Sequence, residues 1–194
     1  MDAKSIQPVK KTIIRSSPFG PVVVIWSLFL GEPKILRVLL STQAGVATDR
    51  ASTLFPVCNE SSCAAIDRVA DGIQSFLNGH DVRFSLNSVR LDSCSPFQEA
   101  VLRAEHGIPS GSVSTYQLIA KHVGRSKAGR AVGNALANNP FPIIIPCHRA
   151  VRSDRSLGGY QGGPAMKRAL LEKEGIGFDR AGRVQVKRWH YGRK

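Results

Sequence analysis

The sequence predicts a small α/β amino-terminal domain, a β-hairpin and sheet with a helix, followed by a mostly α-helical domain that contains a helix-turn-helix. Three features carry the prediction. Residues 22–40 hold two runs of β-branched and aliphatic side chains around a turn. Residues 114–137 hold two short helical stretches joined by Gly124-Arg125-Ser126. Charge divides the chain between them: residues 1–93 carry 10 basic and 8 acidic side chains, whereas residues 94–194 carry 17 and 6. The resulting domains are 1–92 and 93–178, with a basic tail at 179–194.

Taken in order, residues 1–17 are polar and basic, a short arm or first edge strand. Val22 to Leu30, the turn Gly31-Glu32-Pro33-Lys34, and Ile35 to Leu40 read as a hairpin. Residues 42–62 have no periodicity and read as a surface loop or a partly ordered segment. Ala65, Ile66, Val69, Ile73, Phe76 and Leu77 follow a helical spacing that Asn78-Gly79 ends. Val82 to Leu91 reads as a last strand. In the second half, Pro96 to Glu105 is a helix broken by Ile108-Pro109-Ser110-Gly111. Ser114 or Thr115 caps a helix through Val123, with Gly124 at its end. Ser126 caps a second helix to about Ala137. Gly129, Ala131, Gly133 and Ala135 keep that helix thin, which suits close approach either to a DNA groove or to another helix.

Composition excludes several classes. With 42% hydrophobic and 21% charged residues, the chain is neither fibrous nor disordered. The longest apolar run, Val22 to Leu30, falls short of the roughly 20 residues a membrane span needs. No secretory signal opens the sequence, so a soluble intracellular protein is expected, cytoplasmic, or nuclear in a eukaryote. Cysteines at 58, 63, 94 and 147 form no CxxC pair, and the five histidines are scattered, so free thiols and no metal site are expected. The formal charge of +13 points to a polyanionic partner, because clustered cations release counterions from phosphates. A merely solvated basic surface is the plainer alternative.

Phe141 to Pro146 reads as a buried strand that delivers Cys147 to its end, where His148 and Arg149 can favour the nucleophilic thiolate. A Cys-His pair alone is a weak signal. Adjacent residues on a strand also point to opposite faces, so direct proton transfer would need a kink or an intervening water.

The surroundings of that pair are specific. Arg130-Ala131-Val132-Gly133, Asn139-Pro140, Ile145-Pro146-Cys147-His148-Arg149 and Gly159-Tyr160-Gln161-Gly162-Gly163 together resemble the O6-alkylguanine-DNA alkyltransferases. Lys167, Leu170-Leu171 and Glu174-Gly175 continue the pattern in order. The resemblance covers about residues 95–176, and residues 1–90 match only loosely. It implies a ribonuclease H-like first domain and a winged-helix-like second. It further implies DNA repair by a single-turnover methyltransferase: the damaged base is flipped from duplex DNA, and its alkyl group passes irreversibly from guanine O6, and from thymine O4, to a cysteine.

Carried over position by position, the resemblance makes Cys147 the acceptor. His148 deprotonates it through a water and Glu174 orients the imidazole. Tyr116 protonates the leaving purine, and Asn139 pins the turn before the cysteine. Arg130 fills the gap in the base stack, and Gly129 and Ala131 let its helix sit close to the groove. Gln117, Ala137 and Ser153 fall at backbone contacts, and Pro142, Ala150, Tyr160 and Gln161 line the base pocket. No cofactor is implied, because the alkylated base is itself the activated donor. The implied partner is double-stranded DNA bearing O6-alkylguanine, bound by a monomer with no membrane contact. Taken singly, Tyr116 is a packing residue, Arg130 a surface charge and Glu174 a helix-end ion-pair partner. Their common register around Cys147 makes them candidates.

Three other readings compete. A lesion-binding protein of the alkyltransferase-like type lacks the acceptor cysteine. A cysteine hydrolase leaves the basic helix pair unexplained. A helix-turn-helix regulator has no use for the cysteine.

Overall fold

The hairpin turn sits two residues earlier than its Gly-Glu-Pro-Lys signal. In the computed structural model, which describes residues 8–192, β1 (Lys10–Ile14) is followed by β2 (Val22–Phe29) and β3 (Glu32–Leu40). Leu30 and Gly31 make the turn with φ of 52° and 81°. Both central residues are left-handed, which matches the twist of the flanking strands. Pro33 therefore lies inside β3. It is tolerated because β3 is the outer strand of a four-stranded sheet ordered β3-β2-β1-β4. β4 (Asn59–Glu60) pairs parallel with β1 and the other pairs are antiparallel, so the sheet is mixed. Of the predicted arm or edge strand at residues 1–17, Lys10–Ile14 is a strand paired on both sides rather than at an edge, and residues 1–7 lie outside the described residues.

Residues 42–62 are not simply a loop: they contain α1 (Ala47–Leu54) and β4. The reason lies in the sheet, whose central strand is buried on both faces. Val22, Val24 and Trp26 face the main core, while Val23, Ile25 and Leu39 pack on Ala47, Ala51 and Cys58. Without α1 the second face would meet water. The hydrophobic term overrides the poor helical signal of a segment rich in Ser and Thr. α2 (Ala64–Leu77) covers the first face over the predicted span. The predicted strand at Val82 to Leu91 is instead a pair of 3-10 turns with a single bridge from Val89 to Ile35. Ser85 caps the first turn by accepting from the Asn87 N–H, a local bond that competes with strand pairing.

Helices dominate the second half. α3 (Pro96–His106) starts at a Ser95 cap with proline in the first turn. A two-residue strand, β5 (Ser114–Thr115), leads into α4 (Tyr116–His122), whose N-cap is Thr115. α5 (Gly129–Ala137) begins three residues after the predicted Ser126 cap, because residues 125–128 form a turn closed by an Ala128 N–H to Arg125 carbonyl bond of 2.8 Å. β6 (Ala150–Val151) pairs parallel with β5, and α6 (Gly163–Lys173) follows. Pro164 lies in the first turn of α6, where a missing N–H costs nothing.

The principal core passes from Trp26 and Ile73 through Leu102, Ile119 and Val132 to Phe141, Ile145 and Leu170 without a break between the halves. A main-chain bond from the Val38 N–H to the Pro140 carbonyl, 2.8 Å, stitches the sheet to the helical half. Parts of residues 177–192 also pack on the helical half. Val184 is buried with Val113 and Leu171, and the Tyr191 ring stacks on His122 at 3.8 Å. Among the described residues, no helix is long and apolar enough to cross a membrane.

Candidate active site

Proline and asparagine shape the segment that carries the cysteine. Pro140, Pro142 and Pro146 remove three ladder donors, so Phe141 to Pro146 is a buried turn rather than the predicted strand. Asn139, 1% exposed, holds it from within. Its Oδ1 accepts from the Phe141 N–H at 2.9 Å. Its Nδ2 donates to the Ile145 carbonyl at 3.1 Å and to Cys147 Sγ at 3.3 Å. Ile143 is forced to φ 73°, an unusual conformation for a β-branched residue and a mark of how tightly the turn is specified. Cys147–Arg149 then form one 3-10 turn. The two-faced geometry of a strand therefore does not apply to Cys147 and His148.

Behind the cysteine lies a buried ion cluster. His148 Nε2 meets Glu174 Oε1 at 3.0 Å, and the Arg149 guanidinium grips the same carboxylate with Nε and Nη2. Arg149 Nη1 also donates to the Ile108 carbonyl at 2.6 Å. Burial works to raise the Glu174 pKa, but hydrogen bonds from His148 and Arg149 outweigh it and hold the group below the ordinary carboxylate range. Burial pushes His148 down, so the imidazole is neutral, and a carboxylate at Nε2 fixes the proton there. His148 Nδ1 is then a free lone pair, buried and without a partner.

Cys147 is only 4% exposed, and burial raises its thiol to about 12 against the opposing pull of the Asn139 hydrogen bond. The resting form is the thiol. Neither neighbour supplies the expected cationic help, since His148 is neutral and Arg149 is committed to Glu174.

Across from the sulfur stand Tyr116 and Lys167. The Lys167 ammonium is fully buried and donates to the Ala150 carbonyl at 2.6 Å and the Gly159 carbonyl at 3.1 Å. It also approaches the Tyr116 hydroxyl at 3.5 Å. Burial lowers its pKa to about 8 and raises that of Tyr116 to about 12. Gly158, at φ 69°, lets the chain pass beside the phenol: a Cβ there would lie 2.5 Å from the Tyr116 hydroxyl. Gly158→Ala is expected to cost about 1–2 kcal/mol from backbone strain alone and to displace the phenol. A thermal melt checks the first effect. An unchanged melting temperature would mean that loop 157–159 yields freely.

A cavity of about 520 Å³ opens over Cys147. Tyr116, Tyr160 and Gly159 form one side, Arg152 and Ser153 the rim. Gln117, Lys127, Gly129, Arg130, Gly133, Leu136 and Ala137 form the wall, which is contributed by α4, α5 and the turn between them. Gly129 leaves room for the Gln117 amide: a Cβ there would meet Gln117 Oε1 at 2.7 Å and move that side chain.

Eight of the candidate residues thus line one cavity: Cys147, Tyr116, Gln117, Gly129, Arg130, Ala137, Ser153 and Tyr160. Asn139, His148 and Glu174 stand behind it in direct or relayed contact with Cys147. Ala131 is exposed on α5 outside the lining, Pro142 is buried in the turn, and Ala150 presents its carbonyl to Lys167. Gln161 donates to the Asn139 carbonyl at 2.6 Å and borders a separate cavity with Arg37 and Arg50. Arg152 and Gly158 belong to none of the motifs, and Lys167 belongs to the family pattern without an implied role. Lys167 did carry a signal, since it lies with Leu170, Leu171 and Glu174 on one apolar helix stripe.

Residues 96–176 match the family model described as 6-O-methylguanine DNA methyltransferase, DNA binding domain. The crystal structure of Mycobacterium tuberculosis O6-methylguanine methyltransferase superposes with a TM-score of 0.64 at 31% identity, covering 86% of this chain and 92% of that one. The chain belongs to the O6-methylguanine-DNA methyltransferase family. A second crystal structure, of Mycobacterium tuberculosis OGT in complex with DNA, gives a TM-score of 0.67 at 30% identity over 85% and 92% of the two chains. Methylated-DNA–protein-cysteine methyltransferase of Methanothermobacter thermautotrophicus is 44% identical over 115 residues, 59% of this chain and 64% of that relative. The matched segments span 64%, 45% and 62% of the length of three such relatives. In this member of the family, the matched segment contains every group described around Cys147.

Proposed function

We propose that this protein repairs duplex DNA by accepting the alkyl group of O6-alkylguanine, and of O4-alkylthymine, on Cys147 in a single turnover. The observation that carries the reading is a free thiol at the floor of an open cavity whose wall is a small-residue helix, with Lys127, Arg130 and Arg152 around it. In this proposal α4 and α5 act as a helix-turn-helix of winged type, residues 1–92 as a ribonuclease H-like partner domain, and residues 93–178 as the catalytic domain with a basic tail after them. The protein works as a monomer in the cytoplasm, or in the nucleus of a eukaryote, without membrane contact.

The target nucleotide is flipped into the cavity and Arg130 occupies its place in the stack, where a guanidinium plane offsets part of a cost of a few kcal/mol. Gly129 and Ala131 allow α5 to approach the groove, and Gln117, Ala137 and Ser153 receive the sugar-phosphate backbone. Pro142, Ala150, Tyr160 and Gln161 shape the pocket directly or through their carbonyl and amide groups. The Cys147 proton passes through a water to His148 Nδ1, and Glu174 stabilises the resulting imidazolium. The sulfur attacks the alkyl carbon and the carbon–O6 bond breaks. Tyr116 gives the purine a proton, so that a neutral guanine leaves, and Lys167 steadies the phenolate. The thioether resists hydrolysis, which ends the cycle.

Comparing two substrates tests the role of α5. Arg130→Ala is expected to slow repair of O6-methylguanine in a duplex by tenfold or more, yet alter reaction with free O6-benzylguanine by less than twofold. Equal losses on both substrates would remove the stacking role.

A further inference from the structure

Glu105 has no part in the chemistry above, yet it lies in the same cluster. It sits in the last turn of α3, fully buried, and neither carboxyl oxygen has a hydrogen-bond partner. No cation is within ion-pairing distance among the described residues; the Lys167 ammonium is committed to carbonyls and Arg149 to Glu174. Five groups surround it electrostatically. Lys167 comes from α6 and Arg149 from the 3-10 turn, both cationic. Cys147 from that turn, Tyr116 from α4 and Tyr191 from the carboxy-terminal segment are groups whose ionisation a charged Glu105 would oppose. The Ala150 N–H approaches the carboxyl without completing a hydrogen bond.

An unpaired carboxylate in such a place would cost several kcal/mol, whereas the neutral acid costs far less. We propose that Glu105 is a neutral carboxylic acid at neutral pH and a positioning residue for the reaction at Cys147. Protonated, it leaves the sulfur and the phenol free to take up negative charge; ionised, it sets a buried anion against both. This rests on the acceptor role of Cys147. Burial raises the Glu105 pKa to about 8, so the opposing charge appears as pH rises through that value.

The test is the single-turnover rate on a duplex containing O6-methylguanine between pH 6.5 and 9.5, for the wild type and Glu105→Gln. Glutamine imitates the neutral acid. The variant is expected to match the wild-type rate at pH 7 within twofold and to shift the alkaline fall, centred near pH 8 in the wild type, upward by a pH unit or more. Lys167 also titrates near 8, but its signature is opposite. Removing a neighbouring anion makes an ammonium more acidic, so a fall carried by Lys167 would move downward in the variant. A downward shift, an unchanged profile, or a uniform loss at every pH overturns the proposal. Should the variant not fold, infrared titration of the ¹³C-glutamate-labelled wild type decides: a protonated carboxyl band at pH 7 that is lost near pH 8 supports it, and the lack of such a band overturns it. Wild type that transfers nothing at any pH overturns the acceptor role and this inference together. A normal rate with an unshifted fall overturns this inference alone.

Discussion

Cys147→Ala is expected to abolish alkyl transfer altogether. Intact-protein mass spectrometry after incubation with an O6-methylguanine duplex reads the result: wild type gains one methyl group per chain, and the variant gains none. The loss should be complete because the other thiols cannot substitute. Cys58, Cys63 and Cys94 line no part of the cavity, and burial raises the thiols of Cys58 and Cys94. The substitution removes one buried sulfur, so folding should survive and duplex binding should persist. Two results would sink the reading: methyl mass appearing on the alanine variant, or demethylated DNA in excess of protein in the wild type.

Glu174→Ala is expected to produce the largest loss of stability, about 3–5 kcal/mol by denaturant titration, because it strands the buried Arg149 charge. Arg149 would keep one carbonyl contact, and His148 would lose the carboxylate that fixes its tautomer. Transfer should slow even at temperatures where the variant is folded. Glu174→Gln keeps the shape and separates charge from packing. The Glu174 pKa is held low in the folded state, so its contribution is present above the ordinary carboxylate range and fades as pH falls through the lowered value. The stability gap between wild type and Glu174→Gln should therefore narrow in acid. A gap that stays constant into acid would show that the carboxylate charge does not matter there.

Much of the carboxy-terminal half was legible in the sequence because its signals are local. The Ser95-Pro96 start of α3, the Thr115 cap of α4 and the glycine after it each fix a boundary through a bond to a near neighbour. The start of α5 was misplaced because a Ser suggested a cap where the chain makes a turn instead. α1 was invisible for a different reason. Nothing in Ala47–Leu54 asks strongly for a helix, and the demand comes from Val23, Ile25 and Leu39 on the far side of the sheet. The continuous apolar run Val22 to Trp26 did contain that message, since a strand covered on one face only would alternate. Phe141 to Pro146 misled because apolar content was weighed above three prolines. Among the site residues, Glu105 belongs to no motif, and Lys167 belongs to the family pattern without an implied role. Each is an ionisable side chain on the apolar stripe of its helix, beside Val101 and Leu102 or Leu170 and Leu171, and that mismatch is a readable sign of a titratable group held in the interior.

The unbroken packing from Trp26 to Leu170 carries an implication for how the chain tolerates change. The sheet supplies the floor on which the Asn139 turn rests, and the Val38–Pro140 main-chain bond passes any tilt of the third strand straight into it. Neither portion is therefore a portable module. Drift in the weakly matched first ninety residues must be compensated side chain by side chain, or the turn that carries Cys147 shifts, so the proposed repair activity would belong to the whole chain and could not be grafted with its carboxy-terminal part alone.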